Sequence, residues 1–476
     1  MKDQQSASEI AKLVRSRDLS PVDVVREAIG RIERHNTVLN AFVALRQEQA
    51  LADALDIERC ISAGENAGPL AGVPIGVKDL EDVAGLPTTF GSVPFKDNMA
   101  NSDSVHVARL KAAGAIVVGK TNTPEFGSTG FTRNLLFGVT RSPWNTDLTP
   151  GGSSGGSAAA VVSGMVPLAT GTDQGGSLRI PASYSGCFGM KPSFGRIPRG
   201  PFDSLRWTDT ESLGALSGSV RDFAIYLDCV AGYDPCDPDS LPKPSASYAS
   251  LLDKAADRLK IVWCPRFGGA RSDPEVLDAV SNAVTTFSDL GHTVEQVDLE
   301  IPEVKRDWQA IASFARHGEL SGLLSEHKAD VGRAFFAGVE AGGKVTAKRY
   351  AEAQRARAAL NDALRSIFER FDLLLSPATA TTAFDARGRL PESIAGEPVI
   401  DPLEVTPFTY QFNMSGHPAA SVPAGLTSLG LPVGLQVVAE RHRDDLVLQV
   451  CHQYEQARPW RHLWPSEPRS AVEGDR

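Results

Sequence analysis

The segment from Thr149 to Ala182, TPGGSSGGSAAAVVSGMVPLATGTDQGGSLRIPA, constrains this chain more than any other. Ser153 follows a pair of glycines, and Ser177 follows a second pair and leads into Leu178-Arg179-Ile180-Pro181. Glycine loses more backbone freedom on folding than any other residue, so such a density needs a geometric reason. Two tightly folded loops that bring backbone N–H groups against a ligand supply one, and a serine at each apex makes hydroxyl chemistry the first reading. The small residues from Ser157 to Ser163 predict a helix packed at close range. Val166 to Thr170 predicts a strand feeding the second loop.

The rest of the chain repeats this interleaving. Ser8 to Val14 reads as helical. Ser20-Pro21-Val22-Asp23 has the form of a helix start, with Val24, Val25, Ala28, Ile29 and Ile32 on one face of the helix it opens. LAGVPIGV, from Leu70 to Val77, reads as a strand ending at Lys78-Asp79. Ser104 to Ala113 reads as a helix, and Ala115 to Gly119 as a buried strand ending at Lys120-Thr121. Further on, Lys260 to Cys264 and Asp372 to Leu375 read as strands, and residues 273–290, 347–371 and 446–457 as helices. GYDPCDPDSLPKPS reads as an exposed connection, and Pro391 to Pro407 as a surface loop. Helices alternating with short apolar strands predict an α/β protein, with helices on both faces of a largely buried sheet. No low-complexity linker divides the chain, so residues 1–476 are expected to form one domain. Its N-terminal helical segment spans about residues 5–65. GVPIGVK (Gly72 to Lys78) and GLPVGLQ (Gly430 to Gln436) share a frame, which predicts two turn-fed strands of the same sheet, only the first ending in a lysine.

Composition removes several classes of function. The net charge is −10 and no dense Lys/Arg cluster is present, which argues against nucleic-acid binding. No apolar run is long enough to cross a bilayer, and MKDQQSASEIAKL lacks a signal-peptide core, so a cytoplasmic enzyme without membrane partners is expected. The six cysteines are scattered singly and the nine histidines are dispersed, a pattern that predicts reduced thiols and neither metal nor cofactor.

A serine hydroxyl becomes a useful nucleophile only when a base takes its proton. The pattern G-x-S-x-G around Ser153 formally fits the nucleophile elbow of a histidine-based hydrolase, but Ser142 to Asp147 reads as loop where the elbow needs a strand. His417 and His442 are the nearest candidate bases for that reading, and it leaves Ser177 unexplained. A lysine base is the alternative. Its pKa would have to fall from about 10.4 toward about 7–8 through burial or nearby positive charge, and Lys78 stands at the end of an apolar strand. A phosphate binder built on the glycine loops is a third reading, disfavoured because G-x-G-x-x-G and GK[S/T] are both absent.

The blocks GVPIGVKD (72–79), GKTNTPEF (119–126), FGVTRSPWN (137–145), TPGGSSGGSAAA (149–160), GTDQGGSLRIPA (171–182) and GMKPSFGR (189–196) occur in order. Together they closely resemble the amidase signature family, with a signature core at about 70–200. The resemblance implies a mixed, twisted central β-sheet covered by helices on both faces. It also implies a catalytic Ser–cis-Ser–Lys triad formed by Ser177, Ser153 and Lys78, with a cis peptide between Gly152 and Ser153. Backbone N–H groups of Gln174, Gly175, Gly176 and Ser177 are then the expected oxyanion hole, and Asp173 and Arg179 scaffold residues of the second loop. The implied reaction is hydrolysis of a small-molecule amide through an acyl-enzyme on Ser177. FGVTRSPWN leans toward stand-alone amidases of aryl, acyl and small linear amides. The rivals are the glutamine-hydrolysing A subunit of a tRNA-dependent amidotransferase and, more remotely, a Ser-His-Asp esterase. A homodimer is compatible with the resemblance, but no residue pattern specifies it. Gln174, Gly214-Ala215-Leu216 and Ser204 to Asp209 depart from common family forms. Trp207 is read as either a core aromatic or a residue of the substrate mouth.

Overall fold

The fold is described from a computed structural model covering residues 5–201, 209–254, 256 and 258–470. LAGVPIGV does not extend along its whole length. Gly72 adopts φ +76°, Val73 N–H closes a turn on Leu70 O, and the strand runs from Pro74 to Lys78 with every residue buried. It is flanked by two parallel neighbours, Ile116–Thr121 and Leu168–Asp173.

These three strands belong to a mixed sheet of eleven. From edge to edge they are Phe42–Leu45, Ile116–Thr121, Pro74–Lys78, Leu168–Asp173, Ser212–Ser217, Phe188–Lys191, Ala419–Leu426, Pro432–Ala439, Leu373–Pro377, Lys260–Trp263 and Thr293–Gln296. The strands 74–78 and 432–439 predicted from the repeated frame thus share one sheet, several strands apart. Alternate side chains serve opposite faces. Val117 joins Leu110 and Phe223 on one side, while Ile116 and Val118 join Ala158 and Val162 on the other. Helices therefore cover both faces, and the central strands are buried along their length, while the edge strands Phe42–Leu45 and Thr293–Gln296 meet water.

The helix Gly155–Val162 is wholly buried, and its small residues are required by contact. A Cβ on Gly156 would lie 2.4 Å from the Asn122 nitrogen. The helix Pro21–Leu39 starts where Ser20-Pro21 predicted. Ser20 does not cap it, however, because its Oγ donates to Glu58 Oε1 at 2.9 Å.

Two differences from the sequence reading matter. Pro391 to Pro407 is not an open loop: Ser393–Ile394 pairs with Glu397–Pro398, Pro402–Val405 forms a 3-10 turn, and Ile394 and Val405 are buried. The helices Lys305–Ser325 and Arg333–Gly342 were not anticipated at all. They bury few residues and carry the internal glycines Gly318, Gly322 and Gly338. Among the described residues, no helix is long and apolar enough to cross a membrane, and no cluster of His, Cys, Asp and Glu could hold a metal ion.

Candidate active site

Parallel neighbours bring their carboxyl ends to the same edge of the sheet, where crevices for ligands form in α/β proteins. Lys78 ends one strand and Asp173 ends its neighbour; the second glycine-rich loop leaves from this edge, and the first, carrying Ser153, meets Lys78 there. Lys78 is fully buried, with Nζ donating to Ser153 Oγ at 2.7 Å and to Thr172 Oγ1 at 3.0 Å. The two loops are tied together by Ser154 N–H, which donates to Ser177 O at 3.2 Å. Ser153 is buried, whereas Ser177 is partly exposed at the crevice. The Gly152–Ser153 peptide is cis. A side chain at Gly152 has no room: its Cβ would lie 2.7 Å from Phe131 N and 2.8 Å from Thr129 O.

The second loop is folded around Asp173. Its carboxylate accepts from Gly176 N–H at 2.7 Å and Leu178 N–H at 3.1 Å, and a two-toothed pair from Arg179 closes the ring at 2.9 and 3.0 Å. Gly176 sits at φ +127°, and a Cβ there would lie 2.5 Å from Thr409 Oγ1. The N–H of Gly176, expected to face a ligand, is thus engaged inside the loop. Those of Gln174, Gly175 and Ser177 make no hydrogen bond among the described residues. Burial works against the Asp173 carboxylate, but Arg179 and Asn413 outweigh it and hold its pKa down at about 2. Arg179 is itself buried and saturated, donating onward to Thr409 O, Asn413 Oδ1 and Gln436 Oε1. Gln436 occupies, in its strand, the place that Lys78 occupies in the repeated frame.

Burial lowers the pKa of Lys78 to about 7, although Glu211, Glu81 and Asp173 pull it upward. Burial lowers Lys191 to about 7 as well, with its Nζ donating to Pro192 O, so contact with Ser153 and not electrostatics alone singles out Lys78. Glu211, buried just before the strand Ser212–Ser217, has its own carboxyl raised by burial, while Arg199 and Lys78 counter that rise. Behind the lysine runs a buried chain: Lys78 N–H to Thr170 Oγ1, Thr170 to Glu81, Glu81 to His106 Nδ1 at 2.5 Å, and His106 Nε2 to Tyr226 OH at 2.6 Å. The histidines proposed for an esterase are elsewhere. His417 pairs with Ser415 Oγ, and burial lowers its pKa to about 3. No strand precedes Ser153, so the elbow geometry is missing.

Beside the two loops, residues of the helices Lys305–Ser325 and Arg333–Gly342, outside every motif, pack against the end of the block GKTNTPEF and against the second loop. A Cβ at Gly127 would lie 3.2 Å from Ser153 Oγ, and the adjacent Phe126 stacks on Phe335 at 5.0 Å. From the helix Lys305–Ser325, Trp308 Nε1 donates to Gln174 O at 2.9 Å, and its ring lies where a Cβ on Gly175 would be, 2.5 Å from Cζ2. Trp207 lies outside the described residues. Of the residues now found around the site, Glu211 carried a faint signal, an acid directly before an apolar strand. Gln436 was marked only as the end of the repeated frame, and Trp308 and Asn413 carried no signal, because only tertiary folding brings them to the loop.

Known proteins share this fold and much of this sequence. The Amidase family model matches residues 23–448. An acylamidase of Rhodococcus erythropolis is 36% identical over 475 residues, covering 97% of each chain. The A subunit of glutamyl-tRNA(Gln) amidotransferase from Gloeothece citriformis (strain PCC 7424) is 34% identical, covering 97% of this chain and 99% of that one. A bacterial aryl acylamidase structure superposes with a TM-score of 0.91 at 34% identity, covering 97% of this chain and 98% of its own. The substrate complex of 6-aminohexanoate cyclic dimer hydrolase gives 0.87 at 32%, over the same shares. With the family model spanning most of its length, this chain belongs to the amidase signature family of hydrolases.

Proposed function

We propose that the protein hydrolyses small-molecule carboxylic amides through an acyl-enzyme on Ser177. The observation that carries this reading is the buried Lys78 amine, 2.7 Å from Ser153 Oγ and with its pKa lowered to about 7. A neutral amine takes the Ser153 proton while Ser153 takes that of Ser177, whose Oγ adds to the amide carbon. The oxyanion accepts from the N–H groups of Gln174, Gly175 and Ser177. Each such donor is worth about 2.7–4 kcal/mol where it has been measured by mutation. The Lys78 ammonium returns its proton through Ser153 to the departing nitrogen, the C–N bond breaks, and water repeats the addition to free the acid. Asp173 and Arg179 shape the loop and take no proton.

The acylamidase and aryl acylamidase relatives favour acyl and aryl amides as substrates. The amidotransferase relatives, matched over equal length, favour glutamine as the ammonia source for a partner. The isolated chain decides between them: it should hydrolyse simple anilides and leave glutamine untouched, whereas glutaminase activity alone would establish the second reading. Mass spectrometry should find the acyl group on Ser177. Lys78→Ala should lower the acylation rate at least about 10²–10⁴-fold, the range for a lost general base. An active Lys78→Ala enzyme would refute the lysine mechanism. Because only neutral Lys78 accepts a proton, kcat/KM should fall as pH drops through about 7, and a profile flat to pH 5 would count against it.

A further inference from the structure

Buried arginines elsewhere in this fold are paired with carboxylates: Arg179 with Asp173, and Arg196 with Asp444. Arg316 is different. It lies two turns beyond Trp308 on the helix Lys305–Ser325, half-buried at the crevice. Its hydrogen bond is to a neutral acceptor, from Nη2 to Gln174 Oε1 at 3.3 Å. Its Cζ sits 5.7 Å from the centroid of Phe335, the ring stacked on Phe126 beside the Ser153 loop. Among the described residues it makes no ion pair, and its Nε is shielded from solvent without a partner. Glu211 and Glu319 attract it from beyond ion-pairing distance. Gln174 Nε2, on the side chain Arg316 touches, is a second buried donor without a partner among the described residues.

A desolvated guanidinium without a carboxylate is unfavourable, since charge is tolerated away from water only when paired and hydrogen-bonded. Its planar fork matches the two oxygens of a carboxylate bidentately. Here the fork abuts the loop that carries Gly175 and Ser177. We propose that Arg316 is the anion-binding element of the crevice, receiving a carboxylate carried by the amide substrate. This deepens the amidase reading and rests on it. The substrate class it names is an amide of a dicarboxylic acid or an N-acyl amino acid, in place of an uncharged amide.

The test compares matched pairs in the full-length protein: glutaryl against butanoyl 4-nitroanilide, and N-acetyl-4-aminobutyrate against N-butylacetamide. The charged member of at least one pair should be preferred at least tenfold in kcat/KM, mainly through KM. Arg316→Met should bring that ratio within about twofold of unity, and Arg316→Lys should retain part of it. In a Ser177→Ala background, calorimetry should show glutarate binding at least tenfold tighter than butanoate, with Arg316→Met erasing the difference. Equal use of both members, a preference that survives Arg316→Met, or equal binding of glutarate and butanoate would each overturn the proposal. If no amide is cleaved, the amidase reading fails, and the glutarate measurement still decides the anion site.

Discussion

Lys78 makes no ion pair among the described residues, yet three carboxylates act on it from a distance. Burial pushes its pKa down, and Glu211 is the strongest opposing influence. Glu211→Gln removes a negative neighbour that favours the ammonium form, so the lysine should deprotonate more readily. The acidic limb of the pH–rate profile should therefore move to lower pH, and a limb that stays or moves upward would show that Glu211 does not act on Lys78 electrostatically. This coupling was only half legible in the sequence. Lys78, Ser153 and Ser177 stand in motifs whose glycines announce them. Thr172 stands inside the block GTDQGGSLRIPA without a pattern that ties it to a lysine, and Glu211 shows only an acid directly before a strand.

At the level of elements, the helix Lys305–Ser325 is the part least readable beforehand and among the closest to the chemistry. Its grip on the loop works through a peptide plane. C=O and N–H of one peptide point in opposite directions, so a donor fixed on Gln174 O aims the Gly175 N–H the other way. Thr409 Oγ1 holds the next carbonyl, Gly175 O, in the same manner at 2.5 Å. Trp308→Phe keeps a ring against Gly175 and deletes the indole N–H. It should lower kcat about tenfold, the effect of roughly 1.4 kcal/mol, with KM little changed. Steady-state kinetics on one anilide suffices to check this. A rise in KM alone would mean that Trp308 touches substrate instead of orienting the loop. The strands 74–78, 116–121, 168–173, 260–263 and 373–377, by contrast, were readable because continuous apolar runs are what a sheet covered on both faces demands, and their ends moved by a few residues, most where Gly72 turns the chain.

Across the whole molecule, the second loop is held by residues far along the chain. Arg179 joins Asp173 to Thr409, Asn413 and Gln436, and Asn413 Nδ2 returns to Asp173 O at 2.7 Å. Removing one partner of such a buried pair leaves the other charge bare, at about 3–5 kcal/mol. Arg179→Met should accordingly lower the unfolding free energy measured in urea by that amount and abolish hydrolysis. An Arg179→Met enzyme with parental stability would show that Asp173 needs no counter-ion. The sheet places these parts within reach: the strand 188–191 pairs with 419–426, which pairs with 432–439. Sequence inspection found both members of the repeated frame, but not that the second would brace the arginine of the loop. That bond spans 257 residues, and no local pattern encodes it.

The same long-range bracing bears on how such a chain can be rearranged by recombination. The stretch that identifies the family is contiguous and looks like a portable cassette. Transplanted alone, it would bring Ser177, the proposed nucleophile, and Arg179 but leave behind Thr409, Asn413 and Gln436. A recipient would have to supply three acceptors in matching positions before the loop could close around Asp173. Gene fusions that preserve activity should therefore add domains outside this fold, and crossovers between residues 179 and 436 should succeed only between relatives that keep those acceptors.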